Sequence, residues 1–143
     1  MTPEQAAKQW VESFNAHDLK TLVNLYAENA LNAQPHLPTP IKGKHAIQED
    51  LSGFVTAFPD CRLQAIHVVV TGNVSAMEWV FTGTQKGALV GPAGTIPASN
   101  RKVTLKGAEF LTHDAQGLIT DERGYFDLVS FMTQLGAMPA PSA

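Results

Sequence analysis

Apolar residues recur at helical spacing through the first part of the chain and alternate with polar ones through the second. Thr2-Pro3-Glu4-Gln5 is a helix start: Thr2 caps, Pro3 fits the first turn and Gln5 stands at capping-box spacing. Ala6, Ala7, Trp10, Val11 and Phe14 then share one helical face. Asn15-Ala16-His17-Asp18 breaks this helix. Asp18 caps a second one, whose buried side takes Leu19, Leu22, Val23, Leu25 and Tyr26. A short strand is predicted over 30–34, followed by a loop holding Pro35, Pro38 and Pro40. A third helix follows Ile41-Lys42-Gly43 and carries Ala46, Ile47, Leu51, Phe54, Val55 and Phe58 before Pro59-Asp60 ends it.

The remainder reads as β-structure. Segments 62–71 and 74–84 are strands joined at Gly72-Asn73, and 85–100 is a long Gly/Pro loop. A further strand runs to the turn His113-Asp114-Ala115-Gln116-Gly117, the last strand covers 118–126, and a short helix closes the chain over 128–135. Helices first and a strand meander afterwards predict an α+β fold with helices on one face of an antiparallel sheet. Within Val103 to Leu111, Val103, Leu105, Gly107, Glu109 and Leu111 share one face, while Lys102, Thr104 and Lys106 take the other. Glu109 is thus a carboxylate among apolar neighbours. Such a group is paired, protonated or lining a wet cavity; the plainer alternative is a strand-end glutamate satisfied by water or an arginine.

A chain of 143 residues suits one domain, here 1–136 with a flexible tail over 137–143. The net charge of −3 and the lack of a basic run argue against a nucleic-acid partner. The N-terminus has no basic segment followed by an apolar one, and no stretch is long enough to span a bilayer, so no membrane association is expected. The lone Cys61 precludes an internal disulfide and fits a reducing, cytoplasmic setting. The histidines are scattered without ligand spacing and the glycines of 83–94 have no helix behind them, so neither a metal nor a cofactor is expected. Valine and isoleucine on the second sheet face predict that a homodimer covers it.

The element order, together with Phe14-Asn15-Ala16-His17-Asp18-Leu19, Leu25-Tyr26-Ala27-Glu28-Asn29-Ala30, Gly43-Lys44-His45-Ala46-Ile47 and the ending Gln134-Leu135-Gly136, resembles the SnoaL-like polyketide cyclases. These belong to the nuclear transport factor 2-like superfamily, with ketosteroid isomerase, scytalone dehydratase and limonene epoxide hydrolase. The resemblance implies a cystatin-like α+β barrel: a cone-shaped curved sheet wrapped around three N-terminal helices, a short C-terminal helix, and a deep apolar pocket at the open end. It covers nearly the whole chain, through order and spacing rather than through specific motifs. The superfamily holds enzymes and non-enzymes alike, so fold does not give function.

Carried over by position, Glu109 falls where ketosteroid isomerase keeps a protonated aspartate, Trp10 where it has a tyrosine donor, and Gln34 where it has its base. An indole donates but does not usefully exchange protons, and an amide is no base near neutrality, so steroid isomerisation by that route is not expected. Arg123-Gly124-Tyr125-Phe126-Asp127 resembles the segment in which the epoxide hydrolase and cyclase branches place an acid, but Gly124 stands at the acid's position. If Gly124 faces the pocket, so do Leu118, Thr120, Glu122 and Phe126. A four-residue hairpin loop then sets Glu122 directly opposite Glu109, about 5 Å apart at Cβ. Two carboxyls that close share one proton and supply both an acid and a base. The plainer reading of Glu122 is an exposed strand residue paired with Arg123 or Lys106.

Asn32 and Gln34 share the pocket-facing side of the first strand, to orient a carbonyl or hydroxyl or simply to satisfy loop backbone. His36 in the proline loop is placed to reach the pocket mouth, unless it is a solvated loop histidine. Phe54, Phe58 and Trp79, with Phe14 on the first helix, are candidates for a ring-binding wall, with core packing as the alternative. The expected function is a cofactor-free acid–base enzyme of isomerase, cyclase or lyase type acting on a small hydrophobic carbonyl compound, with Glu109 and Glu122 catalytic. The alternative is a non-catalytic small-molecule-binding or dimeric scaffold module of the same fold.

Overall fold

Thr2 opens the first helix as its spacing predicts. In the computed structural model its hydroxyl accepts from the Gln5 amide at 3.1 Å, and the Gln5 side chain accepts from the Thr2 amide at 2.8 Å. The structure describes residues 1–92 and 94–139; residues 140–143 of the expected tail lie outside them. Helix α1 spans Pro3–Asn15 and α2 spans Leu19–Val23 under the Asp18 cap. Strand β1 covers Tyr26–Ala33, β2 Ile41–Lys42, α3 Lys44–Ala57, β3 Arg62–Thr71 and β4 Val74–Thr84. The predicted 85–100 loop contains a small hairpin, β5 (Leu89–Gly91) with β6 (Gly94–Ile96). Buried Gln85 pins that loop through bonds to the Ile96 carbonyl and the Ser99 amide. Strands β7 (Lys102–His113) and β8 (Ile119–Phe126) and helix α4 (Leu128–Gln134) complete the chain.

The fold is α+β, with a curved sheet in the order β2-β1-β8-β7-β4-β3 that does not close. The sheet is mixed rather than wholly antiparallel: β1 runs parallel to β8. Those two strands come from opposite ends of the chain, so no hairpin fixes their direction. β1 is also longer than the predicted strand and begins at Tyr26, because Asn24 closes α2 after only five residues. Leu25 and Tyr26 therefore belong to the strand side of that junction.

Inward side chains of α1, α3 and the sheet form one apolar core that includes Trp10, Phe14, Tyr26, Phe58, Met77, Trp79, Phe81 and Leu111. Gly107 admits Trp79 into it. A Cβ at Gly107 would stand 2.5 Å from the Trp79 ring and 2.6 Å from the Tyr125 carbonyl oxygen. Gly107→Ala must push an indole or a neighbouring strand aside, and is expected to lose about 1–3 kcal/mol in urea titrations. An unchanged midpoint would refute that packing argument.

Candidate active site

Five inward positions from three strands make the site. On β7, Glu109 lies between Gly107 and Leu111; on β8, Glu122 and Gly124 point the same way; Asn32 on β1, with Gln34 just beyond its end, continues the surface. The expected register is corrected here: Glu109 pairs with Gly124, and Glu122 pairs with Leu111. A bulge at Thr112/His113 and a slightly different turn displace the pairing by two residues. A two-residue shift keeps each side chain on its face. The carboxyls therefore meet diagonally, within reach of long side chains.

Glu122 is buried, 3 % exposed, and held in place. Its Oε2 accepts a short hydrogen bond from the Tyr26 hydroxyl, whose oxygen in turn accepts from Trp10 Nε1 at 2.7 Å. Asn32, opposite Glu122 across the β1/β8 pair, also favours the charged carboxylate. Burial raises the Glu122 pKa, the charge of Asp50 adds to the rise, and the bonds from Glu109, Tyr26 and Asn32 oppose it. Glu109 is pushed further, well above the ordinary carboxyl value, first by burial and then by the charge of Glu122 and the bond to it. Its Oε2 is enclosed and receives no bond from any described donor. A carboxylate oxygen in that position is unfavourable, and a proton on it relieves the penalty. Both shifts favour holding a proton, on Glu109 more strongly than on Glu122. Tyr26 stays a neutral donor, because burial and then the two glutamates raise its pKa far above the normal range.

Gln34 Nε2 donates to Asn32 Oδ1 at 3.1 Å. His36 sits edge-on to Phe126, with ring centroids 5.2 Å apart. Burial lowers the His36 pKa, partly offset by Asp50 on α3. Asp50 keeps solvent contact, yet enough protein surrounds it for burial to raise its own pKa, opposed by His36.

The aromatic candidates divide. Trp10 is in the hydrogen-bonded chain, and Phe14 stacks behind it at 5.4 Å. Phe54 and Phe58 join Phe81 and Phe131 in a packed cluster, with Phe58 fully buried. Trp79 lies one inward position from Glu109 across the β4/β7 pair, its Nε1 buried and without a described acceptor. Two surface depressions lie elsewhere. One of ≈ 740 Å³, on the outer sheet face, is lined by residues including Glu78, Val80, Lys106, Ala108 and Tyr125. Another lies by Asn15, Arg62 and Gln64. Tyr26 and Asp50 were not singled out by the sequence pattern. A tyrosine three residues beyond a helix end and an acid on a helix carry no spacing signal that ties them to a distant glutamate.

The sequence profile of the SnoaL-like polyketide cyclases matches residues 4–135. Comparison with curated proteins finds no match. Among solved structures, a SnoaL-like polyketide cyclase candidate from Jannaschia sp. CCS1 superposes with a TM-score of 0.83 at 19% identity, covering 96% of this chain and 93% of that one. IdmH from Streptomyces antibioticus, a polyketide cyclase candidate, gives 0.79 at 24% identity, covering 95% and 99%. SalBIII, an epoxide hydrolase/cyclase-like enzyme with a role in pyran ring formation in polyether salinomycin, gives 0.73 at 18% identity, covering 90% and 92%. At these identities the likeness is one of fold.

Proposed function

The chain belongs to the SnoaL-like polyketide cyclase family, and from that premise we propose that it is a cofactor-free acid–base enzyme acting on a small hydrophobic carbonyl compound. The observation that carries the reading is the pair of half-buried Glu109 and buried Glu122 with its donor chain from Tyr26 and Trp10. Glu109 is the member that meets the substrate. It keeps partial exposure, and its Oε1 lies nearest the open space beside Gly124, whereas Glu122 is buried behind its partners.

The pair begins with one proton and one negative charge. Glu109 Oε1 takes the α-proton of the substrate while the proton already on Glu109 passes to Glu122. The C–H bond breaks, an O–H bond forms, both carboxyls become neutral and the substrate becomes an enolate. The negative charge thereby moves from the carboxyl pair to the enolate oxygen. Return of a proton from Glu109 to oxygen or another carbon completes an isomerisation. Attack of the enolate on a second carbonyl of the same molecule, with its oxygen protonated by Glu109, completes a ring closure. Asn32 and Gln34 supply amide contacts to substrate oxygens. The ring formation associated with SalBIII is consistent with this chemistry.

Affinity for 2-naphthol, an enol mimic, tests the reading through quenching of Trp10 and Trp79 fluorescence. Tight binding is expected to weaken as acid adds a second proton to the pair. Affinity that stays flat from about pH 4 to about pH 8 would leave a passive binding module instead.

The outer sheet face is expected to pair with a second copy. Phe110 and Tyr125 lie edge to face there at 47% and 46% exposure, and Glu78 and Lys106 flank the same depression, so a two-fold pairing can match opposite charges. Phe110→Lys should convert a dimer mass to a monomer mass in light scattering, and a wild-type monomer at all concentrations would overturn the pairing. A reducing cytoplasm suits a chain whose single cysteine is buried, its thiol pushed up to about 11 by burial.

A further inference from the structure

Glycine at position 124 is required by neither backbone nor packing. Its φ lies outside the left-handed region, unlike those of Gly43, Gly72, Gly94, Gly117 and Gly136. Within the sheet, a Cβ at Gly83 would crowd Phe58 and Phe81 at 3.2 Å, and one at Gly107 would clash outright. A Cβ at Gly124 would make only ordinary contacts, 3.7 Å to Gln34 Cγ and 3.7 Å to Glu109 Oε1. A strand-interior glycine loses cross-strand packing and adds backbone entropy to the unfolded chain. What it leaves here is space, on the inward row between Gln34 and Glu109.

Two polar side chains border that space. Glu109 presents Oε1 to it. Gln34 gives one N–H to Asn32 and keeps its carbonyl oxygen and a second N–H. With the shared proton on its enclosed Oε2, Glu109 offers Oε1 as an acceptor. A hydroxyl donates to that oxygen or to the Gln34 carbonyl; a carbonyl or ether oxygen leaves Glu109 Oε1 without a donor.

We propose that the gap beside Gly124 seats a substrate hydroxyl, so that the site takes enolised or hydroxylated carbonyl compounds, with Gly124 and Gln34 setting that specificity. This rests on the acid–base reading of Glu109. Two probes of equal ring size test it: 2-naphthol, which carries the donor, and 2-methoxynaphthalene, which does not. Wild-type protein is expected to prefer 2-naphthol by about tenfold or more, since a buried acceptor left without its donor is strongly disfavoured. Gly124→Ala, whose methyl fits without displacing backbone, is expected to fold with an unchanged or higher melting temperature and to lose most of that preference. Gln34→Leu should reduce it as well.

Equal affinity for the two probes, failure of 2-naphthol to bind, or a Gly124→Ala variant that keeps the full preference would each overturn the proposal. The two readings fail separately. Binding that depends on pH and on Glu109 but not on Gly124 removes the seat alone. Binding indifferent to pH and to Glu109→Gln removes the acid–base reading beneath it.

Discussion

Glu109→Gln is expected to slow deuterium exchange into the methyl group of 2-acetylnaphthalene by about 10²–10⁴-fold, as followed by NMR in heavy water, because the amide neither accepts nor returns the α-proton. The same substitution should change how stability depends on pH. Folding raises the Glu109 pKa above its ordinary 4.5, so above that value the folded state holds a proton that the unfolded chain releases. The stabilising contribution is complete below pH 4.5 and falls away as pH rises toward the elevated folded value. A glutamine carries no charge at any pH and removes that slope. The variant should therefore gain on the wild type between acid and neutral pH, with each kcal/mol worth roughly 4 °C in a domain of this size. Parallel stability curves for the two proteins would show that Glu109 titrates normally, and exchange that persists in the variant would remove it from the chemistry.

Tyr26→Phe is the second large effect. It deletes a buried bond to a charged acceptor and leaves the Trp10 indole N–H without the oxygen that receives it. The two losses overlap, and together they should amount to about 2–4 kcal/mol, or roughly 8–15 °C in melting temperature. A change in the pH profile distinguishes this from plain loss of packing. Glu122 loses a donor that favours its charged form, so the pair should hold its protons to higher pH and the profile of 2-naphthol affinity should move in the alkaline direction. A melting temperature within about one degree of wild type would mean that the short Tyr26–Glu122 contact carries little.

The features legible in the sequence were those written in local spacing. Thr2 with Gln5, and Asp18 ahead of Leu19, state their caps in adjacent residues, and the alternation through Val103–Leu111 puts Glu109 on the inward face. Glu122 was legible as to face but not as to partner. Face follows from parity, whereas the partner depends on a bulge at Thr112/His113 that residue types do not announce. Tyr26 shows the opposite failure: helical periodicity extended through Leu25 and absorbed it, although α2 ends at Val23. Asp50 and the β1/β8 pairing depend on where α3 and the two chain ends come to rest. Contacts between such distant segments are fixed by tertiary packing, which no local window contains. The family profile over residues 4–135 supplied the architecture, while the particular set of site residues belongs to this chain.

The parallel join between β1 and β8 sets the order of events in biogenesis. Among the described residues β1 joins the rest of the main sheet through β8, which leaves the ribosome long after β1. A nascent chain that has emerged only as far as β7 has Tyr26 and Trp10 in hand, but no strand on which to hang them and no Glu122 for the hydroxyl to meet. Closing a loop between residues 26 and 122 is entropically slow, and the exposed strand faces invite wrong partners meanwhile. The Tyr26–Glu122 contact should therefore form in a single step once β8 has emerged, and fragments that stop at β7 should be chaperone clients.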